Sequence, residues 1–117
     1  MSRLCFALDL VDEAEAIRAY EDYHAAGAAW PEITASIRDA DIRDMEIYRV
    51  DNRLFMIMDV GPDFDADAKA KADAANPKVA EWEALMDRFQ LSLPGREGEP
   101  KWTPMQRIYK LGETSSP

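Results

Sequence analysis

The first apolar pattern in the chain has a period of two. In "RLCFALDL", Leu4, Phe6, Leu8 and Leu10 fall on one side, with Cys5, Ala7 and Asp9 on the other. That alternation predicts a strand. The period then changes. Ala14, Ile17, Tyr20 and His24 follow spacings of three and four, so they share one stripe of a helix. Asp12 stands where it can cap that helix, and Glu13 and Glu15 suit its positive end. Tyr23 lies about 100° around the axis from His24, on a neighbouring face. Residues 25–29, with Gly27 inside, form a weak stretch where the helix breaks. "WPEITASIRDA" restarts it with Pro31 near the first turn.

Two strands follow. "DMEIYRV" and "RLFMIMDV" flank Asp51-Asn52, two residues that tolerate positive φ, so a tight hairpin is expected. Leu54, Met56, Met58 and Val60 share one face of the second strand, and Phe55 and Ile57 make its other face apolar too. A strand apolar on both sides is covered on both sides. The helices of so short a chain can cover one face, which leaves the other for a ligand cavity or a second subunit's sheet. "GPDFDADAKAKADAANP" reads as a solvated helix or a connection. Val79, Trp82, Met86, Phe89 and Leu93 then recur at three, four, three and four, and Pro94-Gly95 ends that helix. After the loop "REGEPK", "TPMQRIYKL" alternates again and predicts a last strand over residues 103–111. The tail "GETSSP" is expected to be disordered.

The order strand, helix, strand, strand, helix, strand is the split β-α-β arrangement of ferredoxin-like folds. The expectation is a single α+β domain over residues 1–111, dimerising through its sheet face.

Composition narrows the function. A chain of 117 residues supports one domain, and at 47% hydrophobic it can build a core. The formal charge of −9 argues against nucleic acid, which needs a basic face, and disfavours anionic substrates. A neutral small molecule fits better. The single cysteine, Cys5, excludes an internal disulfide and suits a reducing cytoplasm. There is no signal-peptide layout and no apolar run near the roughly 18 residues of a membrane span.

The chemistry centres on His24, the one histidine. Neither a Gly-rich phosphate loop nor a transition-metal cluster of His and Cys is present, and no nucleophile-elbow sequence occurs. The acidic run from Asp63 to Asp73 lacks the pattern of a calcium loop. What remains is a proton-transfer site. An imidazole titrates near neutrality and can donate or accept a proton, and Tyr20 lies one turn away on the same stripe. Each residue also has a purely structural reading. His24 can be a satisfied semi-buried residue, and Tyr20 can be core with its hydroxyl at the rim. Trp82 can be a core anchor or a platform for the apolar face of a sugar ring. Trp30-Pro31 reads as a helix start, and Met56 and Met58 as core filling.

Tyr20, His24 and "WPEI", followed by "MEIY", "RLFMIMDV" and "EWEALM", resemble the L-rhamnose mutarotase family in order and spacing, from about Leu4 to Leu111. The resemblance implies a dimeric α+β barrel of ferredoxin-like subunits. It also implies cofactor-free interconversion of the α and β anomers of a 6-deoxy-L-sugar. By the same resemblance His24 is the proton donor, and Tyr20 and Trp82 bind the sugar. Two positions depart: Met45 stands where rhamnose-type members have a tyrosine, and Glu83 where they have a second tryptophan. The family-like set extends to L-fucose, and the departures lean the reading that way. Small dimeric α+β barrel oxygenases or dehydratases, and a sugar-binding module without turnover, are the alternatives on the same architecture.

Overall fold

The computed structural model describes residues 2–25 and 27–112. The five-residue end of the tail, 113–117, lies outside the described residues. The elements are β1 (Ser2–Leu10), α1 (Ala14–His24), α2 (Pro31–Asp39), β2 (Ile42–Val50), β3 (Arg53–Val60), α3 (Ala66–Ala74), α4 (Pro77–Asp87), β4 (Gln90–Leu91) and β5 (Thr103–Pro104). The fold is α+β, with an antiparallel sheet in the order β2-β3-β1-β4 and β5 also paired to β1.

β1 and β3 form the centre. Their register runs from Ser2↔Val60 to Asp9↔Arg53 without interruption. Leu4, Phe6 and Leu8 therefore stand opposite Met58, Met56 and Leu54, and β2 adds Met45 and Ile47 on the same face. A one-residue slip would turn this whole set outward, so the burial of one face fixes the register. Leu8, Leu10 and Leu54 are fully buried and pack with Tyr20, Ile33, Val79, Trp82 and Met86 from the helices. Met56, Met58, Val60 and Ile42 make a second buried cluster beside it. On the other face Cys5, Ala7, Phe55 and Ile57 are only half-buried, and Tyr48 and Val50 are exposed.

The hairpin between β2 and β3 forms as expected, with Asp51 at φ 51°. Asn52 then ties the hairpin to the end of β1: its carbonyl accepts from Leu10 N at 2.7 Å, and its side-chain amide donates to Leu10 O at 3.0 Å. The break between α1 and α2 also forms, with Trp30 at the N-cap of α2 and Pro31 in its first turn. The polar connection resolves as a helix, α3, with no buried residue, capped by Asp65 accepting from the amides of Asp67 and Ala68.

Three expectations are corrected. Glu13, not Asp12, is the N-cap of α1, and no side chain bonds the free amides there. The late helix does not reach Leu93; it ends at Asp87. Phe89 O accepts from Val11 N at 2.8 Å, and Gln90 and Leu91 pair with Leu10 and Asp9. Sheet pairing takes these residues although their spacing continues the helical stripe. The last strand is paired only at Thr103–Pro104, against Ala7 and Phe6, and Met105 N still donates to Cys5 O at 2.8 Å. Beyond this Ile108, Tyr109 and Leu111 are 91%, 67% and 80% exposed. The alternation of residues 105–111 is not taken up into a strand in the described chain.

Gly61 closes β3 against Asp41, which sits at φ 65°. Gly61 N donates to Asp41 O at 2.8 Å, and the Asp41 carboxylate accepts from Asp63 N at 2.9 Å. A Cβ on Gly61 would collide with the Asp41 carboxylate. Gly61→Ala is therefore expected to lower stability by about 1–3 kcal/mol, read from the urea midpoint. Pairing it with Asp41→Ala should cost less than the sum of the two single changes.

Candidate active site

The site is built on the C-terminal turn of α1. A spacing of four places Tyr20 and His24 on one face. Their rings stack at 4.3 Å between centroids with 25° between planes. His24 Nδ1 lies 2.7 Å from the carbonyl oxygen of Tyr20. A carbonyl only accepts, so Nδ1 carries the hydrogen. In the neutral ring Nε2 then holds the free lone pair, the position from which a proton is taken and returned.

Around this pair stands an aromatic group. Trp82, on α4, meets His24 edge-on at 5.5 Å and Trp30 at 5.2 Å. Tyr23 approaches Trp82 at 6.2 Å and Phe89 at 6.1 Å. Tyr20 is 3% exposed and Trp82 8%, so both belong to the core. They also line a cleft of about 880 Å³ that His24 shares. Both residues are thus core and cleft wall at once. The volume falls in the usual range for small-molecule sites, roughly 300–1,000 Å³. Met45, Ile47, Met56 and Met58 give the cleft a sheet wall, and its charged members are four carboxylates, Asp44, Asp73, Glu83 and Asp87, and four cations, Arg38, Arg43, Lys69 and Lys101.

Electrostatics follow from burial. Desolvation pushes the His24 imidazolium below its ordinary value of 6.5, and the Tyr20 carbonyl only partly offsets this. The same desolvation raises the Tyr20 phenol, opposed by a hydrogen bond from Gln90. Gln90 Nε2 donates to Tyr20 Oη at 3.3 Å. At neutral pH His24 is thus mainly neutral and Tyr20 keeps its hydrogen. Among the described residues no group of His, Cys, Asp and Glu is placed to hold a metal ion.

The structure brings Tyr20, His24 and Trp82 to one cleft. Sequence reasoning missed Gln90, Lys101 and Trp102 in the cleft wall. Gln90 was hidden because the helical spacing ran through it. Trp102, partly buried against both core clusters, follows a polar loop. An isolated tryptophan at that junction was the available signal.

The fold and the site describe an α+β protein with a concave pocket walled by aromatics and carrying one imidazole. Comparison with known proteins gives that class a family. The model of the L-rhamnose mutarotase family matches residues 3–111. An L-fucose mutarotase of Xanthomonas campestris pv. campestris is 47% identical over 116 residues, covering 99% of this chain and 93% of the relative. A UPF0734 protein of Dictyostelium discoideum is 33% identical over 109 residues, covering 90% and 86%. Among solved structures, the L-rhamnose mutarotase of Formosa agariphila superposes with a TM-score of 0.69 at 22% identity, covering 95% of this chain and 99% of that one. The tetracenomycin F2 cyclase of Streptomyces glaucescens does so with a TM-score of 0.63 at 14% identity, covering 94% and 96%, a likeness of fold alone. The chain belongs to the L-rhamnose mutarotase family, a family of isomerases.

One histidine gives one set of imidazole resonances. An NMR titration should place the His24 pKa below 6.5, with nitrogen shifts of an Nδ1–H tautomer above it. A pKa above 6.5 would mean that the ring is better solvated than this packing allows.

Proposed function

We propose that this protein interconverts the α and β anomers of a 6-deoxy-L-hexose, L-fucose ahead of L-rhamnose, by acid–base ring opening in the cleft. His24 is the proton carrier, and Tyr20 and Trp82 hold the sugar. The observation that carries this is the juxtaposition of the three side chains: an imidazole fixed at Nδ1, stacked on one aromatic and edge-on to a second, on the wall of one cleft. The preference for L-fucose is supported by the activity in the name of the 47% identical relative.

The chemistry needs one proton delivered and one removed. As the C1–O5 bond breaks, imidazolium Nε2–H gives its proton to the ring oxygen while a base takes the proton of the anomeric hydroxyl. The open aldehyde turns about its C1–C2 bond. On closure O5–H attacks the other face of the carbonyl, its proton returns to Nε2, and the anomeric oxygen regains a proton. The carrier ends as it began. Burial makes the imidazolium a stronger acid than in water, at the cost of a smaller protonated population. Apolar walls from Trp82 and the methionines suit the C–H faces of the sugar and its 6-methyl group.

The same reading includes a homodimer, closed as an α+β barrel through the sheet. Cys5, Ala7, Phe55 and Ile57 form an apolar sheet face outside both buried clusters. The exposed Ile108, Tyr109 and Leu111 lie on a segment with strand alternation. Burying both in a second copy removes two exposed apolar surfaces at once. A free, half-buried Cys5 suits a cytoplasmic location, and no described helix is long and apolar enough to cross a membrane.

Three outcomes are expected. His24→Ala should retain the fold by circular dichroism and lose about 100- to 10,000-fold in anomer exchange, measured by saturation-difference NMR on sugar at equilibrium. Exchange at the wild-type rate in that variant removes His24 from the mechanism. The donor is the protonated ring, and its pKa is depressed, so kcat/KM corrected for spontaneous exchange should fall as pH rises through that pKa, below 6.5. A profile that climbs over that range would reverse the assigned role. Light scattering should give twice the 13.2 kDa chain mass, and a chain ending at residue 104 should give a monomer.

A further inference from the structure

We propose that Glu83 is the hydroxyl acceptor of this cleft, its two carboxylate oxygens clamping a vicinal diol of the sugar while His24 acts at the ring oxygen. The proposal rests on the sugar reading above and adds a residue to it.

Placement comes first. Val79, Trp82, Glu83 and Met86 of α4 all line the cleft, at spacings that keep them on one side of the helix. Glu83 directly follows Trp82, the residue that meets His24 edge-on. Glu83 is exposed where Trp82 is buried.

Availability comes second. Four carboxylates line the cleft: Asp44, Asp73, Glu83 and Asp87. Asp73 is engaged by Lys69 Nζ at 2.5 Å, and Asp87 by Lys101 Nζ at 3.1 Å. Asp44 accepts from the amide of Met45 at 3.0 Å. Glu83 alone makes no hydrogen bond or ion pair among the described residues. Desolvation, then Asp73 and Asp87 near it, disfavour its charged form, with Lys69 opposing them in part. Hydroxyl donors supplied by a ligand would relieve that penalty.

The chemistry then selects the ligand. A carboxylate accepts and does not donate, and its two oxygens match two neighbouring hydroxyls. A neutral polyol satisfies it, and a sugar acid brings a second negative charge to the same place.

The test is the concentration dependence of anomer exchange for wild type, Glu83→Gln and Glu83→Ala, on L-fucose and its 2-, 3- and 4-deoxy analogues. A hydrogen bond to a charged group at a partly exposed site corresponds to about tenfold in affinity. Glu83→Ala should therefore raise KM about tenfold on L-fucose, with kcat within about threefold and Glu83→Gln in between. One deoxy analogue should cost the wild type a similar factor and cost Glu83→Ala little more. An unchanged KM in active Glu83→Ala overturns the clamp and leaves the sugar reading standing. A fall in kcat at constant KM also overturns it, since that marks a proton-transfer role. Wild-type protein without exchange on any of these sugars overturns the reading beneath it as well.

Discussion

The site depends on how one imidazole is held. His24 is the last residue of its helix, and the Tyr20 carbonyl one turn back fixes which nitrogen carries hydrogen. Without that bond a terminal side chain would sample several rotamers and both tautomers. With it, and with the Tyr20 ring stacked alongside, Nε2 is the one ring nitrogen left to accept. The same contact links chemistry to stability. Tyr20 packs in the core with Leu8, Leu10 and Leu54, and its hydroxyl is held by Gln90 of the sheet. His24 is therefore tied to the core of the fold through Tyr20, with Trp82 edge-on beside it.

The sheet supplies the opposing wall by a simpler rule. Period-two alternation on β1 and β3 directs one set of side chains beneath the helices. Near Leu8 and Leu54 that set is packed solid. Met56 and Met58, further along β3, are buried yet line the cleft. Methionines at that wall are unbranched and adjust to a ligand outline better than β-branched residues do. The opposite face, with Phe55 and Ile57, is apolar without being covered. The chain thus carries one face suited to a ligand and another suited to a sheet.

Elements whose pattern was long and local were legible in the sequence. β1, the β2–β3 hairpin, the α1 stripe and the restart at Trp30-Pro31 all follow from spacing and turn chemistry. Tyr20, His24 and Trp82 could be placed in one neighbourhood because helical spacing and the family resemblance agreed. The errors share a cause. Phe89 and Leu93 continue the α4 spacing, yet sheet pairing claims Gln90–Leu91, a long-range contact that no local window contains. That error also hid Gln90 as the partner of Tyr20. Residues 105–111 have strand alternation without a strand in the described chain. Alternation reports a preference for pairing, and pairing needs a partner strand that no local window contains. Met45 and Glu83 were visible as departures, but a departure shows what is missing from a pocket. The partners of Asp44, Asp73 and Asp87 show what Glu83 leaves available.

Charge makes a final argument about the substrate. A net formal charge of −9 surrounds a cleft whose lysines Lys69 and Lys101 are already matched to Asp73 and Asp87. An anionic ligand would approach against the general field, and three of the cleft's four cations, Arg43, Lys69 and Lys101, already pair with carboxylates. A neutral sugar feels no such field, and its hydroxyls are donors that an acceptor-rich rim can use. The reaction fits this economy. Anomers interconvert slowly without help, so no large developing charge has to be stabilised by fixed cations. A proton moved on and off one oxygen is enough, and a buried imidazole with one free nitrogen can move it.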